Sequence, residues 1–363
     1  MNVQRMRLAA NSELTSGPHG ELLLYIGHRR AYLRLSPLGD NVVRILAASG
    51  GMTAEELTTA IRDRHPQLRA DHDGRILAFL DRLIETEAIQ FSEAAGKEHA
   101  APRRIVFQPK SRLPLRVRLF SPNRTVAPAI AAWLYRKRLV FLLAAIICFV
   151  VASGLFIASP RIDWNSISWP LLVAAILLHG CLHETSHTLA TSGAGIKIRD
   201  AGFAILYWFL PVLYVDRTDA YRLQDPRQRA WIAIAGPLWD ATGAGLTALL
   251  SWYCAGSTAA TLQALSLCEL LFLASNLNPF LPSDGYHAVE ALAGELNFRG
   301  RAFSVLLHRL RIRALPPYLH KLSRKQQWFC CAYGVASAAY LALLVVAALV
   351  AGYHWTGFIS RHF

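Results

Sequence analysis

Leu171 to His187 reads LLVAAILLHGCLHETSH, an apolar run that closes on His183-Glu184-Thr185-Ser186-His187. On a helix, positions i and i+4 share one face, so both imidazoles reach one divalent cation. Glu184, beside the first, stands as a general base toward water activated there. A five-residue pattern also arises by accident, in roughly a few chains per hundred of this length. The flanking sequence therefore decides.

That flanking sequence is built for lipid. From Leu139 to Ala158 no residue is charged, which matches the about 20 residues that a hydrocarbon core requires of a helix. The motif-bearing run begins at Pro170. Further apolar runs go from Trp231 to Cys254, Thr261 to Leu281 and Trp328 to Val350, broken by Asp240 and Glu269 alone. They predict a mainly α chain, a multi-pass membrane helix bundle of about five spanning helices. Phe203 to Val215 is apolar but short and carries Pro211, and reads as a re-entrant or interfacial segment.

A net charge of +14 in a soluble chain would suggest nucleic acid, but its distribution argues otherwise. No acidic residue lies between Glu98 and Asp163, while Arg103, Arg104, Lys110, Arg112, Arg116, Arg118, Arg124, Arg136, Lys137 and Arg138 precede the first span. Such a segment binds anionic membrane lipids and orients the chain by the positive-inside bias. The amino terminus is then cytoplasmic in a multi-pass protein of the cell membrane, and nucleic acid is not a partner. Later loops alternate accordingly: Ser159 to Trp169 has Arg161 as its only basic residue, whereas the stretches after the second and fourth runs are rich in arginine. Cys148, Cys181, Cys254, Cys268, Cys330 and Cys331 show no CxxC spacing and read as small buried residues.

A catalytic zinc takes three protein ligands and keeps one position open, so a third ligand is required from another helix. Asn278-Pro279-Phe280-Leu281-Pro282-Ser283-Asp284-Gly285 follows the fourth run on the same side as His187, and Asp284 can complete the set. These two stretches resemble the signatures HExxH and NPxxxxDG of the site-2 protease family of intramembrane zinc metalloproteases, here about a hundred residues apart. The resemblance implies one catalytic Zn²⁺ held by His183, His187 and Asp284, with Glu184 as catalytic base. It extends to Ala235-Gly236-Pro237, where the family has a Gly-Pro pair commonly followed by a polar residue; Trp239-Asp240 departs from that pattern. No PDZ-like insertion is recognised, so the chain resembles a compact member. Asp216-Arg217-Thr218-Asp219-Ala220-Tyr221 resembles the branch of peptide zinc metalloproteases found in bacterial peptide-maturation clusters.

Other residues carry two readings each. Asn278 either hydrogen-bonds an unwound substrate strand or developing oxyanion, or terminates a helix. His179, one turn before His183, either supports a ligand from behind or faces a neighbouring helix. Asp240 and Glu269 are ionisable groups within spans and so functional candidates, Asp240 for tuning the metal or binding a substrate amide, against a structural hydrogen bond. His287 either donates to Asp284 or lies idle. Asp216 and Asp219 are read as ordering their loop.

The chain divides into a tail (1–20), a soluble module (21–95), a basic juxtamembrane linker (96–138), the membrane domain (139–353) and an external tail (354–363). In the module, Leu22 to Ile26 and Ala31 to Leu35 read as strands and Ser36 opens a helix reaching Ala48. Thr53 and Glu56 form a capping box for a second helix, a third runs from about Gly74 to Glu87, and Ala88 to Phe91 is a strand. This α+β, winged-helix-like layout resembles the PqqD-like domain, or RiPP recognition element, of enzymes that modify ribosomally made peptides. In that family a leader peptide adds as a strand to the sheet edge. Acidic residues such as Asp63, Asp81 and Glu85 balance the arginines of its helices, which a groove-reading helix would not favour.

The combined expectation is a membrane-embedded zinc metalloendopeptidase that captures a ribosomally made precursor peptide and cleaves it near the cytoplasmic face, beside a peptide exporter or modifying enzyme. The alternatives are a regulatory site-2 protease acting on a single-span signalling protein, and a non-catalytic immunity or export-accessory membrane protein.

Overall fold

A computed structural model describes residues 5–9, 12–17, 22–27, 31–64, 73–91, 105–107, 115–120, 128–158, 162–206, 210–294, 297–316, 319–320 and 322–362. Arg103, Arg104, Lys110, Arg112 and Arg124 of the basic stretch lie outside these residues. The chain forms two compact units: 1–127 with 195–225, and 128–194 with 226–363.

The first unit holds every β-strand among the described residues. β1 (Met6–Leu8) pairs antiparallel with β5 (Ile89–Phe91), and β2 (Ser12–Ser16), β3 (Leu22–Ile26) and β4 (Ala31–Arg34) form an antiparallel sheet in that order. Three helices follow β4: α1 (Pro37–Ser49), α2 (Ala54–Arg64) and α3 (Asp73–Glu85). The Ser36 hydroxyl caps α1 by accepting from the Gly39 N–H at 3.1 Å, and Gly50 ends it at φ 66°. Thr53 and Glu56 bond reciprocally at 3.0 and 3.2 Å to start α2. Leu24, Val42, Leu46, Leu57, Ile61, Ile76, Leu80 and Leu83 make the core. Helical periodicity supplies three of its walls and strand alternation the fourth.

Two stretches expected to lack structure contribute strands. β1 and β2 lie in the expected tail, and β6 (Ile105–Phe107) and β7 (Leu115–Phe120) in the expected linker. β7 pairs with β8 (Ala201–Leu206), which pairs with β9 (Leu210–Val215), giving the antiparallel order β6-β7-β8-β9. Phe203 to Val215 is thus mostly the arms of a hairpin, with 207–209 outside the described residues. Its apolar run is too short to fix a period, and pairing with β7 supplies the hydrogen bonds that decide it.

The second unit is helical. It comprises α4 (Pro128–Arg136), α5 (Arg138–Ala158), α6 (Trp169–Gly193), α7 (Pro226–Trp252), α8 (Gly256–Asn276), α9 (Asp284–Leu292), α10 (Phe298–Arg309) and α11 (Arg324–His362). Three helical stretches, Arg138–Ala158, Gly256–Asn276 and Arg324–Ala347, are long and apolar enough to cross a membrane. α6 and α7, of 25 and 27 residues, are long enough but are not among these three. α11 runs on to His362, through the residues expected as a tail.

Packing in this unit uses small residues. α5 buries only Ala145 and Ala152, which meet Ala241, Ala244 and Ala248 of α7, while Leu139, Val140, Phe141, Leu143 and Ile147 stay exposed. A lipid-facing helix has this division, because apolar side chains gain nothing from leaving hydrocarbon and close backbone approach provides the attraction.

Candidate metal centre

α6 carries His179, His183 and His187 on one stripe at four-residue spacing, and α7 packs against that stripe. Gly236 permits the approach: a Cβ there would overlap ring atoms of both His183 and His187. α8 ends at Asn276, before the Asn278-Pro279 pair, and α9 begins at Asp284 with the Ser283 hydroxyl accepting from the Tyr286 N–H. Gly285 lets this start press on the backbone of Leu277, where a Cβ would overlap main-chain atoms.

These helix ends bring His183, His187 and Asp284 together, with their ligand atoms all within 4.8 Å. Asp284 Oδ2 lies 3.2 Å from His183 Nε2 and 3.0 Å from His187 Nε2, and the two Nε2 atoms are 3.2 Å apart. A tetrahedral cation with bonds of about 2.0–2.1 Å spaces its ligands by about 3.3 Å, so the triangle has the size of one face of such a site.

Donor accounting reaches the same result. His187 Nδ1 is 2.9 Å from the Ile232 carbonyl, which can only accept. His183 Nδ1 is 2.7 Å from Asp240 Oδ1. With each Nδ1 carrying the proton, both Nε2 atoms turn lone pairs toward a carboxylate oxygen. Three acceptors converging on one point repel unless a cation sits among them. The donor set of two imidazoles and a carboxylate suits a borderline-soft divalent ion.

Glu184 is half-buried and has no hydrogen-bond or ion-pair partner among the described residues. Asp240 is fully buried: Oδ1 accepts from His183 and, at 2.9 Å, from His179 Nε2, and Oδ2 accepts from Asn276 Nδ2 at 2.8 Å. It therefore touches a candidate ligand, as does neither His179 nor Asn278. Asn278 Oδ1 accepts from the Phe280 N–H at 2.8 Å, the bond of an Asx turn, which leaves its Nδ2 donors without a partner among the described residues.

His287 does not reach Asp284; its Nδ1 is 3.2 Å from Glu290 Oε2. The Tyr286 hydroxyl donates to Glu290 Oε1 at 3.0 Å and accepts from the Arg299 N–H. Burial raises the Tyr286 phenol above its ordinary range. Burial also works against the Glu290 carboxylate, but the His287 and Tyr286 hydrogen bonds outweigh it and lower its pKa. This triad braces α9 behind Asp284.

A cavity of about 300 Å³ lies on another face of α6, walled by Leu182, Thr185 and Leu189 with Trp231 and Trp239 of α7. The Thr185 hydroxyl donates to the Cys181 carbonyl instead of entering it. The role of Asn276 was missed in the sequence, because no short pattern marks it, and Gly236 and Glu269 were noted there without the contacts they make. No protein-family model, curated protein or solved structure matches the chain.

Proposed function

We propose that the chain is a zinc metalloendopeptidase of the site-2 protease type, set in the cell membrane, that processes a ribosomally made precursor peptide near the cytoplasmic face. The observation that carries this reading is the triangle of His183, His187 and Asp284 beside a Glu184 that has no partner among the described residues. Helices α6 and α7 join the three apolar helices as spans, for five in all, and Arg136, Lys137 and Arg138 keep the amino-terminal side cytoplasmic by the positive-inside bias.

Zinc, when bound, supplies Lewis acidity that polarises a scissile carbonyl and activates water. Glu184 takes a proton on its carboxylate and returns it to the leaving amine nitrogen, so one carboxylate serves as base and then acid. The free Nδ2 donors of Asn278 hold an unwound substrate strand, and the break between α8 and α9 supplies a non-helical segment for it to lie against. The amino-terminal module captures the precursor by strand addition at the edge of β4, whose only neighbour among the described residues is β3. Capture raises the local substrate concentration, so the protease site need not grip the cut sequence tightly.

The test compares the native protein with Glu184→Gln. Both are expected to hold one zinc, and the variant to leave a small precursor peptide uncut in cells that otherwise mature it, a loss of about 10²–10⁴ in rate. Undiminished maturation by the variant, or a wild-type protein free of zinc after growth in zinc, would sink the reading.

A further inference from the structure

Behind His183 runs a chain of buried polar groups that the hydrolytic machinery does not use. Asp240 is shared between His183 and His179. His179 Nδ1 lies 2.9 Å from Glu269 Oε1, and the Thr247 hydroxyl donates to Glu269 Oε2 at 2.6 Å. His179, Asp240 and Glu269 are each at most 5% exposed. The groups come from three helices in turn: Thr247 and Asp240 from α7, His179 and His183 from α6, Glu269 and Asn276 from α8. Gly243 makes room for them, since a Cβ there would stand 2.8 Å from Glu269 Oε1 and 3.1 Å from His179 Cε1.

Burying two carboxylates in an apolar bundle costs several kcal/mol per ion even after relaxation, so apolar residues would hold these helices together better. What the groups add is direction. Each oxygen of Asp240 has a fixed donor: His179 on the Oδ1 side, Asn276 on Oδ2. Its carboxylate cannot turn, and the remaining Oδ1 lone pair is aimed at His183 Nδ1. His179 in turn cannot rotate, because its other nitrogen is held by Glu269, and Glu269 is held by Thr247. The chain ends at the ligand's ring.

We infer that Glu269 and His179 are positioning residues for the metal ligand His183, acting through Asp240. The carboxylate fixes the tautomer that leaves His183 Nε2 free to coordinate, and the α8 carboxylate fixes the carboxylate. Partners behind a ligand typically change metal affinity by about 10–100-fold. The inference rests on the zinc reading above.

The experiment measures Zn²⁺ affinity by competition with a chromophoric chelator on the full chain in lipid nanodiscs. It compares the native protein, Asp240→Asn, Glu269→Gln and the double variant, and records the visible spectrum of each with Co²⁺ in place of Zn²⁺. Asp240→Asn is expected to weaken zinc by about 10–100-fold and Glu269→Gln by about tenfold. The double variant should be no weaker than Asp240→Asn alone, because the effect of Glu269 passes through Asp240. The Co²⁺ band of Glu269→Gln should shift, and Glu269→Asp with Thr247 intact should regain part of the affinity. Unchanged zinc affinity and an unshifted Co²⁺ band in Glu269→Gln would overturn the inference while leaving the zinc reading intact, as would losses that multiply in the double variant. A native chain that takes up no Zn²⁺ would overturn both. Should Glu269→Gln fail to fold, Thr247→Val removes only the outermost donor, and the same comparison with Asp240→Asn applies.

Discussion

Both units hold a cluster of carboxylates and donors on which several elements converge, and the clusters are treated oppositely. In the sheet-bearing unit, Glu13, Tyr25 and Tyr32 stand side by side across β2, β3 and β4. Onto this row come Arg222, bidentate on Glu13, and Asp219, which accepts from the Tyr32 hydroxyl at 2.8 Å. Arg199 bonds Asp219 at 2.9 Å and lies 3.9 Å from the Tyr25 ring centre. The Glu13 side chain is 56% exposed and that of Arg222 27%, so water competes for both. In the helical unit, Asp240, His179 and Glu269 see almost no water and bond to one another and to His183, Asn276 and Thr247. Paired carboxylates thus make an adaptable clasp in one unit and a rigid alignment in the other, because solvent screens the Glu13–Arg222 pair and not the Asp240 set.

The largest effect expected from this contrast is at Gly236. In Gly236→Ala the new methyl must displace His183 or His187, since it would otherwise overlap both rings. Zinc affinity should fall by about 100-fold or more, beyond what loss of a supporting hydrogen bond causes, while the apo protein keeps its helical circular dichroism. Zinc binding at native strength in this variant would mean that α7 does not press on the ligands as described.

A matched pair of substitutions sharpens the comparison at the next level. Asp240→Ala orphans donors on His179, His183 and Asn276 and should cost about 3–5 kcal/mol, the usual result of removing one partner from a buried ionic set. Glu13→Gln removes one end of a solvated pair and should cost at most about 1 kcal/mol. Denaturant titration of the apo chain reads both. High salt should erase the Glu13 effect and leave the Asp240 effect standing. Equal costs at the two sites would dissolve the distinction between clasp and alignment.

The two units also differed in how far the sequence disclosed them. Local signals carried the amino-terminal helices, since Ser36, Thr53 with Glu56, and the Ile76-Leu80-Leu83 face each act within one or two turns. The metal triangle was legible for another reason: His183 and His187 are i and i+4, and Asp284 follows a helix-breaking Asn-Pro on the adjoining side. The β6-β7-β8-β9 sheet was not legible, because Leu115 pairs with Ile205 across a long sequence separation and nothing local announces it. Asp240 was visible as a charge within an apolar run, but its partners lie on two other helices and have no fixed spacing from it. Gly236 showed only as half of a Gly-Pro pair and Gly243 only as a helix glycine; the atoms that would collide with a methyl there belong to α6 and α8.

A smaller effect tests the clasp from the alkaline side. Burial is the main cause that pushes the Tyr32 phenol up from 10.0 to about 12, helped by Asp219 and opposed by Arg222. A pKa raised on folding means that the neutral form is favoured in the native state. Its contribution is complete below pH 10 and disappears as pH climbs through about 12. Ultraviolet difference titration of native protein against Tyr32→Phe should show one tyrosine ionising late. Its ionisation at an ordinary pH would place Tyr32 in solvent, away from Asp219.

The smallest effect belongs to the capping box, whose reciprocal bonds close within the first turn of α2. Thr53→Ala removes the hydroxyl that accepts from the Glu56 N–H and should cost about 1 kcal/mol. Glu56 adds a pH signature: the Thr53 N–H bond holds its carboxyl below the ordinary value, so the contribution is present above that value and is lost as acid protonates it. Hydrogen exchange of the first turn of α2, followed from neutral pH into acid, should show that turn opening earlier than α3. Because Glu56 is solvated, salt should blunt the change, as it does for Glu13 and not for Asp240. An acid opening that ignores salt would mean that buried groups, not this surface box, set the start of α2.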